Sequence, residues 1–232
     1  QRSVQQRLLD LHGGQAHLAR RQLAFLHHTS VADDPTRVIR AARYGARLGF
    51  SLAPEAAQQI TDTLVTWPWS WHLGDPPEQA PPALATRLRM ELELLLSREP
   101  WPQALELLQA WGGLALLDPG LRSDGWILRR LGQARRLGLP LLTALVAGAA
   151  DPIALAARLQ LPLQQQRVLQ QQQCLLAWLA ELRPEQVSVW SAADWTQALE
   201  RQGLAPEAVA NAVCVLAQQA ADGAPWKPLL RW

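Results

Sequence analysis

The sequence predicts an all-α protein, an elongated array of many helices, and three observations carry that prediction. Apolar residues recur at helical spacing along most of the 232 residues, with Leu84, Leu88, Leu92 and Leu95 the clearest run. Gly, Pro or Asp punctuates most junctions between such runs, where helix starts and stops want them. No alternating apolar and polar stretch is long enough to build a sheet. At 49% hydrophobic the chain can bury a sizeable core, as one elongated unit or as two small domains.

Residues 1–31 read as two short segments broken at Gly13-Gly14, an ordinary flexible turn. The stretch 32–50 then reads as a capped helix: Asp33-Asp34 opens it, Pro35 suits a first turn and Gly49 is the stop. At ~100° per residue, Asp33, Arg37, Arg40, Arg43 and Arg47 share one broad face, and Val38, Ala41, Ala42, Gly45 and Leu48 lie largely on the other. One side packs and the other is a strip of charge.

A helix over 53–66 follows Pro54 and ends at Trp67-Pro68-Trp69-Ser70-Trp71, where tryptophans in a Pro-broken segment read as clamps on a helix end rather than as base-stacking groups. Gly74-Asp75-Pro76-Pro77 and Ala80-Pro81-Pro82 mark a loop and the best candidate boundary. Helices are expected over 83–97, 103–111, 124–137, 140–149, 151–160, 163–182, 191–201 and 205–220. Glutamines 164–166 and 170–173 read as a polar helix face, and Trp178, Trp190 and Trp195 as packing between helices. No constant period survives the Pro and Gly spacing, which disfavours a solenoid. The division that follows is 1–75, 76–120 and 121–232.

The net charge of +2 is too small to argue nucleic-acid binding, but its distribution says more. Residues 1–50 hold eight arginines against three aspartates, +5, which leaves −3 for the rest. Lys227 is the only lysine, so the positive charge is almost wholly arginine, suited to bidentate phosphate recognition. Cys174 and Cys214 stand at no metal spacing and read as core thiols of a reducing compartment. His12, His17, His27, His28 and His72 read as structural or solvated, and the chain offers no metal site. No run of ~20 apolar residues is present, so no membrane partner is expected and the cytoplasm is the expected location. Gln1 at the start suggests a processed product or a fragment of something longer.

The stretch 32–50 is chemically denser than its fold requires. Ionised Asp34 only accepts hydrogen bonds, Arg37 only donates, and three residues apart they are neighbours on a helix. Cytosine and adenine each present an amino donor beside a ring-nitrogen acceptor, which a carboxylate and a guanidinium complement. Uracil and guanine present a carbonyl and a ring N–H instead, and meet the pair acceptor to acceptor and donor to donor. Such a pair selects C and A over U and G without a template.

The run Asp33-Asp34-Pro35-Thr36-Arg37, continued by Arg40-Ala41-Ala42-Arg43-Tyr44 and Leu48-Gly49-Phe50, resembles the nucleotide-selecting motif of the class II tRNA nucleotidyltransferases, the CCA-adding enzymes and related bacterial poly(A) polymerases. The family pattern is Glu-Asp-x-x-Arg, so Asp33 stands one methylene short of the usual Glu. Upstream, Asp10 and Gly13-Gly14 match, while His17 and Ala24 replace the usual Asp and Arg. Arg87-Leu88-x-x-Glu91-Leu92 is similar to the last shared motif; on spacing alone Arg87 and Glu91 are an i,i+4 surface pair.

The resemblance implies that Asp34 and Arg37 face the base of incoming CTP or ATP, that Asp33 and Arg40 orient them, and that Arg87 and Glu91 support the helix from behind. It implies neck, body and tail helices: a neck-like selecting region, linking helices, and a C-terminal body and tail that hold tRNA. It also implies a nucleotidyltransferase adding C, A or both to tRNA 3′ ends with Mg²⁺ bound on a β-sheet head. No Asp-x-Asp or Asp-x-Glu pair occurs, so the head is expected to be missing, no catalytic residue is expected in this chain, and the chain alone is expected to be inactive. A poly(A) polymerase, or a non-catalytic helical scaffold, is the alternative reading, and the sequence fixes no oligomeric state.

Overall fold

A computed structural model describes residues 9–187 and 189–217. The chain opens with α1 (Gly14–Ala19) behind Gly13, whose left-handed φ of 68° ends the preceding loop. It continues through β1 (Gln22–Leu23), α2 (Ser30–Asp33), α3 (Thr36–Leu48), β2 (Ser51–Leu52) and α4 (Pro54–Thr66). The two short strands, absent from the sequence reading, pair in parallel with Gln22 opposite Ser51 and Leu23 opposite Leu52. They staple the segment before α2 to the segment after α3.

Two single turns at Pro77–Gln79 and Pro82–Leu84 carry the proline-rich loop into α5 (Thr86–Arg98) and α6 (Trp101–Ala110). After the turns Gly113–Leu116 and Pro119–Ser123 come α7 (Ile127–Arg136), α8 (Leu141–Val146), α9 (Pro152–Arg158), α10 (Leu163–Glu181), α11 (Pro184–Val187), α12 (Ala192–Arg201) and α13 (Pro206–Leu216). The architecture is the all-α array that the periodicity predicts. The expected ends of the helices at 205–220 and the segment 226–232 lie partly or wholly outside the described residues, as do Arg2 and Arg7.

α3 is the pivot of the first core. Val38, Ile39 and Ala42 are fully buried against Leu88, Leu92 and Leu95 of α5 and Leu105 and Leu108 of α6. Each such leucine contributes roughly 2 kcal/mol by leaving water. That core runs from Val31 to Leu169; a second one gathers Leu175, Val187, Trp195, Leu199, Val209, Ala212 and Val213. α10 serves both, so one helix joins the two cores. Trp178, Trp190 and Trp195 pack on one another as expected, with Trp190 and Trp195 edge to face at 4.9 Å.

Several sequence expectations need correction. Leu48, assigned to the packing face of α3, is half exposed, and Arg43, assigned to the charged strip, is buried. Burial of Arg43 is possible because acids meet it from α5, as described below. The glutamines of α10 are not all a solvated face: Gln172 is fully buried and accepts from Asn211 Nδ2 at 2.5 Å, because α13 packs there. Cys174 is exposed, so only Cys214 is a buried thiol.

Arg130 shows how tightly the middle of the array is built. Its guanidinium is 1% exposed, lies 2.7 Å from Asp124 in an ion contact whose angle misses a hydrogen bond, and donates through Nε to the Ala144 carbonyl at 3.0 Å. It rests on Gly148, where an added Cβ would meet Arg130 Nη2 at 2.1 Å. The displaced guanidinium has no solvent to enter. Gly148→Ala is therefore expected to lower the unfolding free energy by about 1–3 kcal/mol, read from urea denaturation; an unchanged midpoint would show that Arg130 has another place to go.

Candidate functional site

The structure changes the geometry of the selecting pair. Asp34 does not lie on α3. It sits in extended conformation (φ −151°) between α2 and α3, 8% exposed. Its Oδ1 accepts the Thr36 N–H at 3.2 Å and the Thr36 hydroxyl at 2.7 Å, so the side chain holds the start of α3 by the capping chemistry of Asp, one residue earlier than a regular cap. Its Oδ2 accepts from Arg87 Nη2 of α5. Arg37, in the first turn of α3, donates through Nη1 to the Ser30 carbonyl at 3.1 Å. Asp34 and Arg37 are thus brought to one junction without pairing with each other.

Asp33, the last residue of α2, keeps half its side chain exposed, accepts from the Thr29 hydroxyl at 3.1 Å and lies 3.7 Å from His27 Nδ1. The carbonyl next to it is also held: Trp69 Nε1 donates to Ala32 O at 2.8 Å. Trp67 donates to Trp71 O at 2.7 Å and stands edge to face with Trp69 at 4.9 Å, while Trp71 donates to Pro76 O at 3.1 Å beneath the Arg158 guanidinium. The three indoles are clamps, as the Pro-broken segment suggests, and one of them clamps the turn that carries Asp33 and Asp34.

Arg87 and Glu91 do not form the i,i+4 pair that their spacing allows. Both cross to the opposite element. Glu91 takes Arg40 on Oε1, at 2.7 Å from Nη2 and 3.2 Å from Nε, and Arg43 Nη1 on Oε2 at 2.5 Å. Arg43 continues to Glu99 Oε1 from Nε and Nη2, and Arg47 reaches both oxygens of Glu99. The result is a ladder Arg40, Glu91, Arg43, Glu99, Arg47. Its arginines recur at i, i+3 and i+7 on α3, and its acids come from within α5 and from the residue that ends α5.

Exposure grades along that ladder. The side chains of Arg40 and Arg47 are 46% and 48% exposed, those of Arg43 and Glu91 10% and 11%, and that of Glu99 only 1%. The arginine hydrogen bonds, first from Arg47 and then from Arg43, hold the Glu99 carboxyl below its ordinary pKa against the opposing effect of burial. Sequence reading missed Glu99 altogether. The only signal was that three arginines on one helix face need acids opposite them; Glu99 itself lies just past the end of α5 in extended conformation, where helical spacing gives no direction for its side chain.

A separate open crevice of about 1110 Å³ lies between α1 and α4, lined by His17, Arg20, Ala24, His27, His28 and Asp62 among others. The two upstream departures from the family pattern, His17 and Ala24, both line it. Among the described residues no group of three His, Cys, Asp or Glu side chains converges as a metal site would need. No helix among the described residues is long and apolar enough to cross a membrane.

The fold and this junction define a helical array in which one carboxylate and one guanidinium are held at the start of a helix by a ladder of ion pairs behind it. In sequence the chain is similar to a CC-adding tRNA nucleotidyltransferase and to multifunctional CCA proteins. It is 38% identical over 160 residues to the CC-adding tRNA nucleotidyltransferase of Deinococcus radiodurans, covering 66% of this chain and 37% of that protein. To the multifunctional CCA protein of Nitrosococcus oceani it is 39% identical over 114 residues, 48% of this chain and 25% of that one. The chain thus spans about a third of the first relative's length and a quarter of the second's. No family model matches it.

Solved structures share the fold over nearly all of the chain. A CCA-adding enzyme in complex with ATP superposes with a TM-score of 0.63 at 18% identity, over 96% of this chain and 52% of that one. A tRNA nucleotidyltransferase complexed with a primer tRNA and an incoming ATP analogue gives 0.55 at 18% identity, over 91% and 63%.

The lowered Glu99 carboxyl sets a sign for pH dependence. A carboxylate depressed on folding stabilises above its unfolded value near 4.5, and that contribution is lost as pH falls through the folded pKa. Glu99→Gln is expected to be less stable than the native chain at pH 7, with the difference shrinking below pH ~4.5, measured by denaturant midpoints across pH. A constant difference down to strongly acid pH would mean that charge on Glu99 is not what stabilises the ladder.

Proposed function

We propose that this chain supplies base selection and tRNA holding to a template-independent tRNA nucleotidyltransferase that adds C, A or both to tRNA 3′ ends. The observation that carries the reading is the division of labour at the α2–α3 junction: Arg87 and Glu91 forgo each other and brace α3 and Asp34 from behind. Bracing of that kind fixes the direction of two groups that must meet a planar base edge.

The remaining hydrogen-bonding capacity is what selection needs. Oδ1 of Asp34 is filled by the Thr36 N–H and hydroxyl, whereas Oδ2 has one further acceptor site beside Arg87. That site takes the exocyclic amino group of cytosine or adenine. Arg37 has spent one N–H on Ser30 O and offers others to the adjacent ring nitrogen. Asp33 and Arg40 orient the pair: Asp33 from the end of α2, Arg40 through its tie to Glu91.

In this reading residues 1–75 form the selecting region, 76–120 link it, and 121–232 hold RNA, in a cytoplasmic enzyme whose Mg²⁺ is held outside the residues described here. No step of the reaction is assigned to this chain's own side chains. A scaffold reading has one observation in its favour, that Asp34 and Arg37 each already have a protein partner. A poly(A) polymerase would use the same junction for adenine alone.

The test is binding of CTP, ATP, UTP and GTP to the full-length gene product, native and with Arg37→Ala or Asp34→Asn. Native protein is expected to prefer CTP and ATP, and either variant to lose at least tenfold, about 1.4 kcal/mol, of that preference. Equal binding of all four nucleotides by the native protein would overturn the reading in favour of the scaffold.

A further inference from the structure

We infer that α7 grips the RNA backbone along one stripe made of Trp126, Arg129 and Arg136. The inference rests on the tRNA reading above and names the surface that serves it. Residues 119–150 carry five arginines and a single acid, Asp124, and that acid is already taken by the buried Arg130. The other four, Arg122, Arg129, Arg135 and Arg136, are exposed.

The contrast with α3 is what makes this cluster informative. There Arg40, Arg43 and Arg47 are answered by Glu91 and Glu99. On α7, no ion pair or side-chain hydrogen bond among the described residues reaches Arg129, Arg135 or Arg136. The helices packed on α7 supply little to meet them: α8 has no charged residue and α13 has only Glu207, in its first turn. Cations in the last turn of a helix complement its dipole, which accounts for Arg135 and Arg136 but not for Arg129.

At ~100° per residue, Trp126, Arg129, Gln133 and Arg136 fall within about a quarter turn, opposite the face formed by Ile127, Arg130, Leu131 and Ala134, which are all buried. Arg135 lies on the far side of that stripe. Arg129 and Arg136 are two turns apart, ~10 Å along the axis, a spacing that lets two guanidinium groups contact one phosphate strand. The Arg129 guanidinium stands 5.4 Å from the Trp126 ring centroid, which leaves the other face of a 44% exposed indole for a ribose or an unstacked base. A membrane surface would instead require an apolar face, and the apolar face of α7 is spent in the core.

The experiment measures binding of a fluorescent acceptor-stem minihelix of tRNA to the native chain, to Arg129→Glu with Arg136→Glu, and to Arg135→Glu, by anisotropy from low to high salt. The double variant is expected to bind at least tenfold more weakly and to show a log–log salt slope shallower by about 1.5, while Arg135→Glu changes affinity much less. Thermal stability should fall only slightly, since both substituted side chains are exposed and only Arg136 gives up the modest contribution of a helix-end cation, and nucleotide preference should be retained. A loss in Arg135→Glu that is half the double variant's on a logarithmic scale, in proportion to the two and four charge units changed, or larger, would reduce the effect to net charge and overturn the stripe. Unchanged affinity in the double variant, with native binding intact, would overturn it while leaving tRNA as the partner. Native chain that binds anionic phospholipid vesicles and not the minihelix would overturn both the stripe and the RNA-holding role, leaving nucleotide selection to be judged separately.

Discussion

Glu99 receives two arginines of α3 with almost none of its side chain in water, and the placement of everything at the α2–α3 junction depends on that fact. A carboxylate so buried costs several kcal/mol of desolvation and is tolerable only when cations and donors meet it fully. Arg43 and Arg47 do so, and Arg43 also reaches Glu91, so α3 is fixed against α5 in rotation as well as in register. Slipping α3 by one residue would rotate those guanidinium groups by ~100° and strand two acids. The ladder therefore specifies position more than it adds stability.

With α3 so fixed, the chain just ahead of it has few choices. Asp34 falls opposite Arg87, one turn of α5 before Glu91, and its other oxygen closes on Thr36. Trp69 ties down the preceding turn through the Ala32 carbonyl, and the paired strands β1 and β2 fasten the segments on either side. A site that reads a base by two hydrogen bonds needs its groups held to a fraction of an ångström, and that precision comes here from residues that touch no nucleotide in the proposed reading.

Much of this was legible in the sequence because it was written in local chemistry. The Gly49 stop, Pro54 at the start of α4 and the leucine spacing of α5 each act within one or two turns, and each helix appears close to where it was expected. What was not legible depended on partners far along the chain. Asp34 looks like a helix-opening residue of α3, but the short helix at Ser30–Asp33 and the reach of Arg87 place it outside. Glu99, beside Ser97-Arg98 and before Pro100, reads as any solvated end of a helix until α3 is laid against it. Gln172 belongs to a glutamine run that looks solvated, and only the approach of α13 buries it against Asn211.

Arginine itself is the sharpest case, because α3 and α7 carry the same side chain at similar helical spacing and use it in opposite ways. On α3 the residues opposite are Glu91 and Glu99, so the guanidinium groups turn inward and their charge is consumed in positioning. On α7 the residues opposite are the uncharged α8 and the nearly uncharged α13, so every arginine except Arg130 turns outward and keeps its charge for a partner. A count of charge along the chain therefore does not tell the two uses apart: Arg40, Arg43 and Arg47 of the basic residues 1–50 are answered by Glu91 and Glu99 within the fold, while the segment around α7 presents exposed arginines that no acid answers among the described residues. What decides the role of a basic helix is the charge on the helix it packs against.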